Sequence, residues 1–172
     1  NTQTNKGIDM SDNTKSKYKD YKGKLYFARL FESNKDDSEY HEKTEGQYNC
    51  VFVPESEEVL DKMKSDGIPE VSMGHPQFKP TSAADDAIGI KLKRPHVHPK
   101  IEDFGGAPEI FDWTDGVSDK KWDLDVDGEI GNGTEVQVKV SIYTPTNTIR
   151  LEKVAILVHV PYESSEYAEV GW

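Results

Sequence analysis

The chain has 172 residues with 21 Lys plus Arg against 32 Asp plus Glu, a formal charge of −11, and that length suits one domain or a domain with a tail. Only 34% of residues are hydrophobic, below the roughly 45–50% of an ordinary globular chain counted with Gly, so a compact core with long polar loops is expected, while 10% aromatics argue against full disorder. No apolar run approaches the roughly 20 residues that cross a bilayer, no charged-then-apolar leader is read at the start, and the single Cys50 excludes an internal disulfide framework and a Cys-rich zinc site, which points to a reducing, cytoplasmic setting.

Residues 1–16 are polar and read as a flexible N-terminal arm. A strand is expected over Lys24–Phe31, with Leu25, Phe27 and Phe31 on one face and Lys24, Tyr26 and Ala28 on the other. Tyr48–Val53 is a short β-branched and aromatic run closed by Pro54. One helix follows: Ser56 as cap, Glu57 and Glu58 at its positive end, Val59, Leu60 and Met63 as an apolar stripe, Lys62 and Lys64 late, and Gly67 as a stop. Ile88, Ile90 and Leu92 point one way from a strand whose other face holds Lys91 and Lys93. Val136, Val138, Val140 and Ile142 form the inner face of the next strand.

The last strand, Thr148–Val160, begins with Ile149 and Leu151 inward and continues with Val154, Ile156, Val158 and Val160 on the opposite parity. That shift of phase predicts a β-bulge near Glu152–Lys153. Gly131-Asn132-Gly133 reads as a turn needing positive φ. Gly105-Gly106 is either a hinge or a place where backbone approaches a ligand closely. About five strands, one short helix and long loops fit a mainly β fold, a small closed or partly open barrel, with a β-sandwich as the other option.

The net charge hides two basic segments. Lys15–Arg29 holds six cations against Asp20, and Lys91–Lys100 holds four with no acid, leaving −20 on the rest of the chain. Both are interleaved with flat side chains: Tyr18, Tyr21, Tyr26, Phe27 and Phe31 in the first, His96 and His98 in the second. Cations that follow phosphates beside rings that stack bases are the two parts of a single-strand binding surface. The plainer reading is that the lysines keep an exposed face soluble and the tyrosines fill the edge of the core.

Other chemistry has less behind it. Asp123-Leu124-Asp125-Val126-Asp127-Gly128 opens like a calcium loop, but position 12 is Thr134 and a strand follows where a helix is needed. His96, His98 and Asp103 could ligate a metal, yet no third His lies near in sequence. Cys50 sits in an apolar strand, and no G-x-x-x-x-G-K-[ST] phosphate loop occurs. Trp113 and Trp122 flank an acidic loop and read as packing or anchoring residues more readily than as base-stacking ones.

Several ordered motifs resemble a known family. These are Lys22-Gly23-Lys24-Leu25-Tyr26-Phe27-Ala28-Arg29, Arg94-Pro95-His96, Asp103-Phe104-Gly105-Gly106-Ala107-Pro108, Ile130-Gly131-Asn132-Gly133-Thr134-Glu135-Val136, Arg150-Leu151-Glu152-Lys153-Val154, and Val160-Pro161-Tyr162. Their order and spacing, from Lys22 to Tyr162, resemble the podovirus-type bacteriophage single-stranded DNA-binding proteins. The resemblance implies a five-stranded Greek-key OB-fold over residues 17–160, non-enzymatic coating of single-stranded DNA in phage replication and recombination, and a setting in the infected host's cytoplasm. It also implies an acidic, aromatic C-terminal tail over residues 161–172 that meets a phage DNA polymerase or helicase and supports homodimers in some members. Here that tail carries only Glu163, Glu166 and Glu169 as acids. The expected DNA contacts are Lys22, Lys24, Tyr26, Arg29, Lys91, Lys93, Arg94 and His96, with Tyr48 as a stacking platform; no cofactor, metal or membrane contact is expected. The alternative is a β-sandwich virion or carbohydrate-binding structural protein, and a metal enzyme centred on His96 and His98 comes third.

Overall fold

The computed structural model describes residues 15–116 and 119–163. The chain is mainly β. Its strands are β1 (Ser16–Arg29), β2 (Gln47–Pro54), β3 (Val71–Ser72), β4 (His75–Pro76), β5 (Phe78–Thr81), β6 (Ala87–Pro95), β7 (Glu109–Asp112), β8 (Thr134–Tyr143) and β9 (Thr148–Val158). Helix α1 (Glu57–Ser65) lies between β2 and β3, and the single turn α2 (Leu124–Asp127) between β7 and β8.

A seven-stranded mixed sheet has the order β5-β6-β2-β1-β8-β9-β7, and β3 and β4 form a separate hairpin. The five strands expected from periodicity are its middle, β6-β2-β1-β8-β9, all antiparallel to their neighbours. Its two edge strands leave no periodic signal. β5 contains Pro80, and β7 has only four residues with an acid at each end, so neither shows a usable alternation. β7 pairs with β9 in parallel.

β1 is the spine. Along Ser16–Leu25 it pairs with β8, and from Gly23 onward also with β2. It starts well before the expected Lys24 because its first half alternates polar residues on both faces; Ser16, assigned to the arm, is already in the strand, and residues 1–14 lie outside the described ones. Near the other end the β1–β2 register slips between Tyr26 and Arg29, with Phe27 at φ 53. The slip reverses which residues face inward. Phe27, expected in the core, is 40% exposed, and Leu30 is buried instead. Asn132 Oδ1 accepts from the Phe27 N–H at 2.8 Å, while Gly133, at φ +93, donates to Leu25 O. The turn therefore occurs as expected and also supports the distortion of β1.

β9 bulges where its phase changes: Lys139 faces Lys153 but Val140 faces Leu151, leaving Glu152 as the extra residue. A second slip, between Glu135↔Val158 and Val136↔Ile156, turns Val158 outward, where parity along the strand had placed it inward.

The core lies on the inner face of the sheet and includes Leu25, Phe52, Ile90, Leu92, Val136, Val138, Val140, Ile142, Leu151, Val154 and Ile156, closed by Met63 of α1. Cys50 belongs to it, and burial pushes its thiol up to about 12. Ser56 caps α1 by accepting from Val59 N. Asp66, just past the helix, accepts from Tyr21 Oη at 2.7 Å and Lys62 Nζ at 2.9 Å, which fixes the helix to β1.

Candidate nucleic-acid interface

Residues opposite each other in an antiparallel pair share a face. Three rows follow on the outer face of β6-β2-β1. Lys24 lies opposite Val53, Tyr26 opposite Val51 and thence Lys91, and Arg29 opposite Asn49 and thence Lys93. Lys22 is two residues from Lys24 on the same face. Lys22, Lys24, Arg29, Lys91 and Lys93 are all exposed. The sheet thus joins the two basic segments, far apart in sequence, into one basic face, with Glu135 opposite Lys24 as an acid on its β8 border. At its end Lys93 sits where partial desolvation, and then the like charge of Lys91, hold its ammonium below the ordinary lysine range.

Four expected contact residues are placed differently. Tyr26 shares the face of Lys24 but is only 9% exposed, so its ring packs into the surface. Tyr48 is 1% exposed; it follows the parity of Cys50 and Phe52 and faces the core, with its Oη 2.8 Å from His96 Nδ1. His96 is thereby engaged from within and only half-buried. Arg94, with the parity of Ile90 and Leu92, is 8% exposed.

The Arg94 guanidinium donates to Gly106 O (2.7 Å), Asp103 O (2.9 Å), Gly105 O (3.0 Å), Leu151 O (3.4 Å) and Glu152 Oε1 (3.1 Å). It ties β6 to β9, strands that are not neighbours in the sheet order, and gathers the 103–106 loop. The two glycines let this loop pack on the backbone of residues 96–98: a Cβ on Gly105 would lie 2.7 Å from His98 N, and Gly106 has φ +95. The close approach of backbone there is to the chain's own backbone at residues 96–98.

Beyond Lys93 the face runs into a cleft of about 510 Å³ whose lining includes Tyr40, Lys43, Lys93, His98 and Arg150. Tyr40, in the 3-10 segment Glu39–Thr44, is 88% exposed. Arg150 is 5% exposed; its Nε donates to Glu152 Oε2 at 3.0 Å and its guanidinium carbon lies 3.4 Å from the Phe104 ring centre. Burial, then the Arg150, Lys100 and Arg94 charges, lower His98 below the ordinary imidazole value, and its Nδ1 accepts from Lys100 N and Ile101 N. Tyr40 does not stand out in the sequence, and Arg150, though part of the Arg150–Val154 motif, is not among the expected DNA contacts. Tyr40 sits in an acidic, aperiodic stretch, and the bulge that brings Glu152 between two arginines is what makes Arg150 notable.

The remaining candidates resolve locally. Asp123 Oδ1 accepts from Asp125 N and Asp127 Oδ2 from Asp123 N, so these carboxylates cap their own turn. Trp122 Nε1 donates to Gly128 O, and its ring meets His159 edge-on and packs against the core. Among the described residues no group of three or more His, Cys, Asp or Glu is placed to hold a metal ion, and no helix is long and apolar enough to cross a membrane. Pro161 bridges Ile130 and Tyr162 N donates to Glu129 O, so the segment read as a tail begins attached; its continuation, 164–172, lies outside the described residues.

Comparison with protein-family models, with curated proteins and with solved structures returns no match.

Proposed function

We propose that the chain is a non-enzymatic single-stranded DNA-binding protein that lays the strand across the outer face of β6-β2-β1. One observation carries this reading: cross-strand register brings Lys22, Lys24, Arg29, Lys91 and Lys93 onto one continuous face of an otherwise acidic protein. A local basic surface, and not net charge, sets contact with a polyanion.

Topology supports an OB-type barrel. The order β6-β2-β1-β8-β9, with β6 and β9 drawn together through Arg94, follows the Greek-key order in which first, second and third strands form a meander and the last strand returns to the third. In OB-folds the face around the second and third strands is the oligonucleotide surface, and here those strands are β2 and β6. That the strands belong to one large sheet and not to two packed sheets favours the barrel over the sandwich of a virion or carbohydrate-binding protein. On the resemblance of its motifs, the role is coating of single strands during phage DNA replication and recombination in the host cytoplasm, with a polymerase or helicase met through the C-terminal tail, which in some members of that family also supports homodimers.

The test is a salt titration with a single-stranded oligonucleotide and its duplex. The single strand binds more tightly, and its affinity falls with salt at a log–log slope of about −0.7 per neutralised phosphate. Replacing Lys91 and Lys93 together by Ala flattens that slope by roughly 0.7 for each phosphate that the variant no longer neutralises. Equal affinity for duplex, or an unchanged slope in the double variant, would overturn the assignment of this face.

A further inference from the structure

We propose that the cleft beside Lys93 is a nucleotide subsite in which Arg150 and Lys93 hold one phosphate of the strand and Tyr40 stacks the adjoining base. This subsite rests on the single-strand reading of the neighbouring face and adds to it a specific pocket.

Charge is unbalanced at the wall of the cleft. Arg94, Glu152 and Arg150 form a triad: Glu152 Oε1 serves Arg94 at 3.1 Å, and Oε2 serves Arg150 at 3.0 Å and Ser141 Oγ at 2.6 Å. Their side chains are 9%, 17% and 6% exposed. Two guanidiniums share one carboxylate, so a full positive charge is left in a poorly solvated place, and buried charge is costly unless a counter-charge or hydrogen bonds compensate it.

Arg94 is satisfied by its five acceptors, whereas Arg150 is not. Its Nη2 is buried and has no hydrogen-bond partner among the described residues. A native protein rarely leaves such a donor unmatched without a ligand or other functional reason. The Phe104 ring packs on this guanidinium, and Arg150 belongs to the lining of the cleft. A phosphate supplies both missing elements, a negative charge and several acceptor oxygens.

The rest of the cleft fits a whole nucleotide. Its volume of about 510 Å³ lies within the roughly 300–1,000 Å³ of small-ligand pockets. Lys93 belongs both to the cleft and to the basic face, so a strand crossing the sheet reaches the cleft without a break. Lys43 adds a cation to the lining, and Glu39 and Glu42 of the same 3-10 segment add two acids, so the cations Lys43, Lys93, Arg94 and Arg150 outnumber them. Tyr40 offers its ring to solvent at the mouth, a position that packing does not explain.

The experiment measures binding of thymidine 5′-monophosphate, thymidine and inorganic phosphate to the full chain by calorimetry or chemical-shift titration, beside an oligothymidylate. The monophosphate binds at least tenfold more tightly than thymidine. Tyr40→Ala weakens monophosphate and oligothymidylate binding by roughly tenfold, as loss of one stacked base would, and leaves inorganic phosphate binding unchanged. Arg150→Lys weakens both phosphate-bearing ligands. Because Arg150 is buried, its variant is read beside Tyr40→Ala, which removes an exposed ring. Equal binding of thymidine and its monophosphate, or a Tyr40→Ala protein that binds the monophosphate as the parent does, overturns the subsite; oligothymidylate binding that persists in that case leaves the sheet-face reading intact. Monophosphate binding with the expected variant effects but no oligothymidylate binding supports the subsite and removes the strand-coating role.

Discussion

Truncating Arg94 to Ala would strip donors from four carbonyl oxygens and leave Glu152 with one cation in place of two. Breaking a buried ion pair from one side costs about 3–5 kcal/mol, mostly because the surviving partner is stranded. Arg94→Ala is therefore expected to lose stability of that order in urea denaturation, while Lys91→Ala, on the exposed face of the same strand, changes stability by less than about 0.5 kcal/mol. Two basic residues three positions apart thus act on different properties. Lys91 meets solvent and whatever binds there; Arg94 is buried and ties β6 to β9 and the 103–106 loop. A deficit in DNA binding by Arg94→Ala that disappears when corrected for folded fraction is the companion result.

At the scale of elements, α1 is joined to β1 through Asp66. Burial works against ionisation of this carboxyl, but hydrogen bonds from Lys62 and Tyr21, with the charges of Lys62 and Lys19, outweigh it and hold the group below the usual carboxylate range. Burial, then the Asp66 carboxylate, raises the Tyr21 phenol above its ordinary value, so it remains a donor at neutral pH. A carboxyl whose pKa is lowered by folding stabilises the native state above its unfolded value, near 4, and that contribution fades as pH falls through the folded value. Asp66→Asn is expected to lower stability at pH 7 by about 1–3 kcal/mol, the cost of stranding a buried partner, and to flatten the stability profile below about pH 5. Chemical denaturation at a series of pH values checks both. The same scale explains what could be read from the sequence. Strict alternation in β6 and β8, the capped helix and the phase change in β9 are local signals, and each element occurs where its pattern indicates. Alternation also held the answer for Tyr48 and Arg94, whose parity matches buried neighbours. Phe27 and Tyr26 were not legible in this way, because a slip of register between strands leaves no mark on one strand's own pattern. The cleft was not legible either: its lining comes from separate segments that only tertiary structure joins.

Taken whole, the molecule gathers part of its positive charge on the face of β6-β2-β1, although the chain carries a formal charge of −11. The local field of that face draws a polyanion in where the net charge alone would repel it. Such an arrangement makes association faster than neutral proteins of this size achieve and strongly dependent on salt. Stopped-flow binding of an oligonucleotide is expected to show an association rate that falls steeply between low and 0.15 M salt, where screening shortens to roughly 8 Å, with a dissociation rate that changes less.

β1 pairs with β8 from Ser16↔Tyr143 to Leu25↔Thr134, so the first of the described strands finds its longest partner near the last of them. During synthesis the β1-β2-β6 meander can assemble as it emerges, since its pairings are the closer ones in sequence. The first half of β1 must wait, its backbone N–H and C=O groups unpaired, until more than a hundred further residues have followed. Loop closure of that length makes such a fold a slow one, in the millisecond-to-second range of non-local β-proteins, and leaves a waiting strand edge exposed to other nascent chains. Lys17, Lys19 and Lys22 lie along that waiting half, and like charge of this kind is what natural edges use to repel one another. Lys22, proposed to meet DNA, would then serve with Lys17 and Lys19 before the chain has folded, by keeping two newborn copies apart.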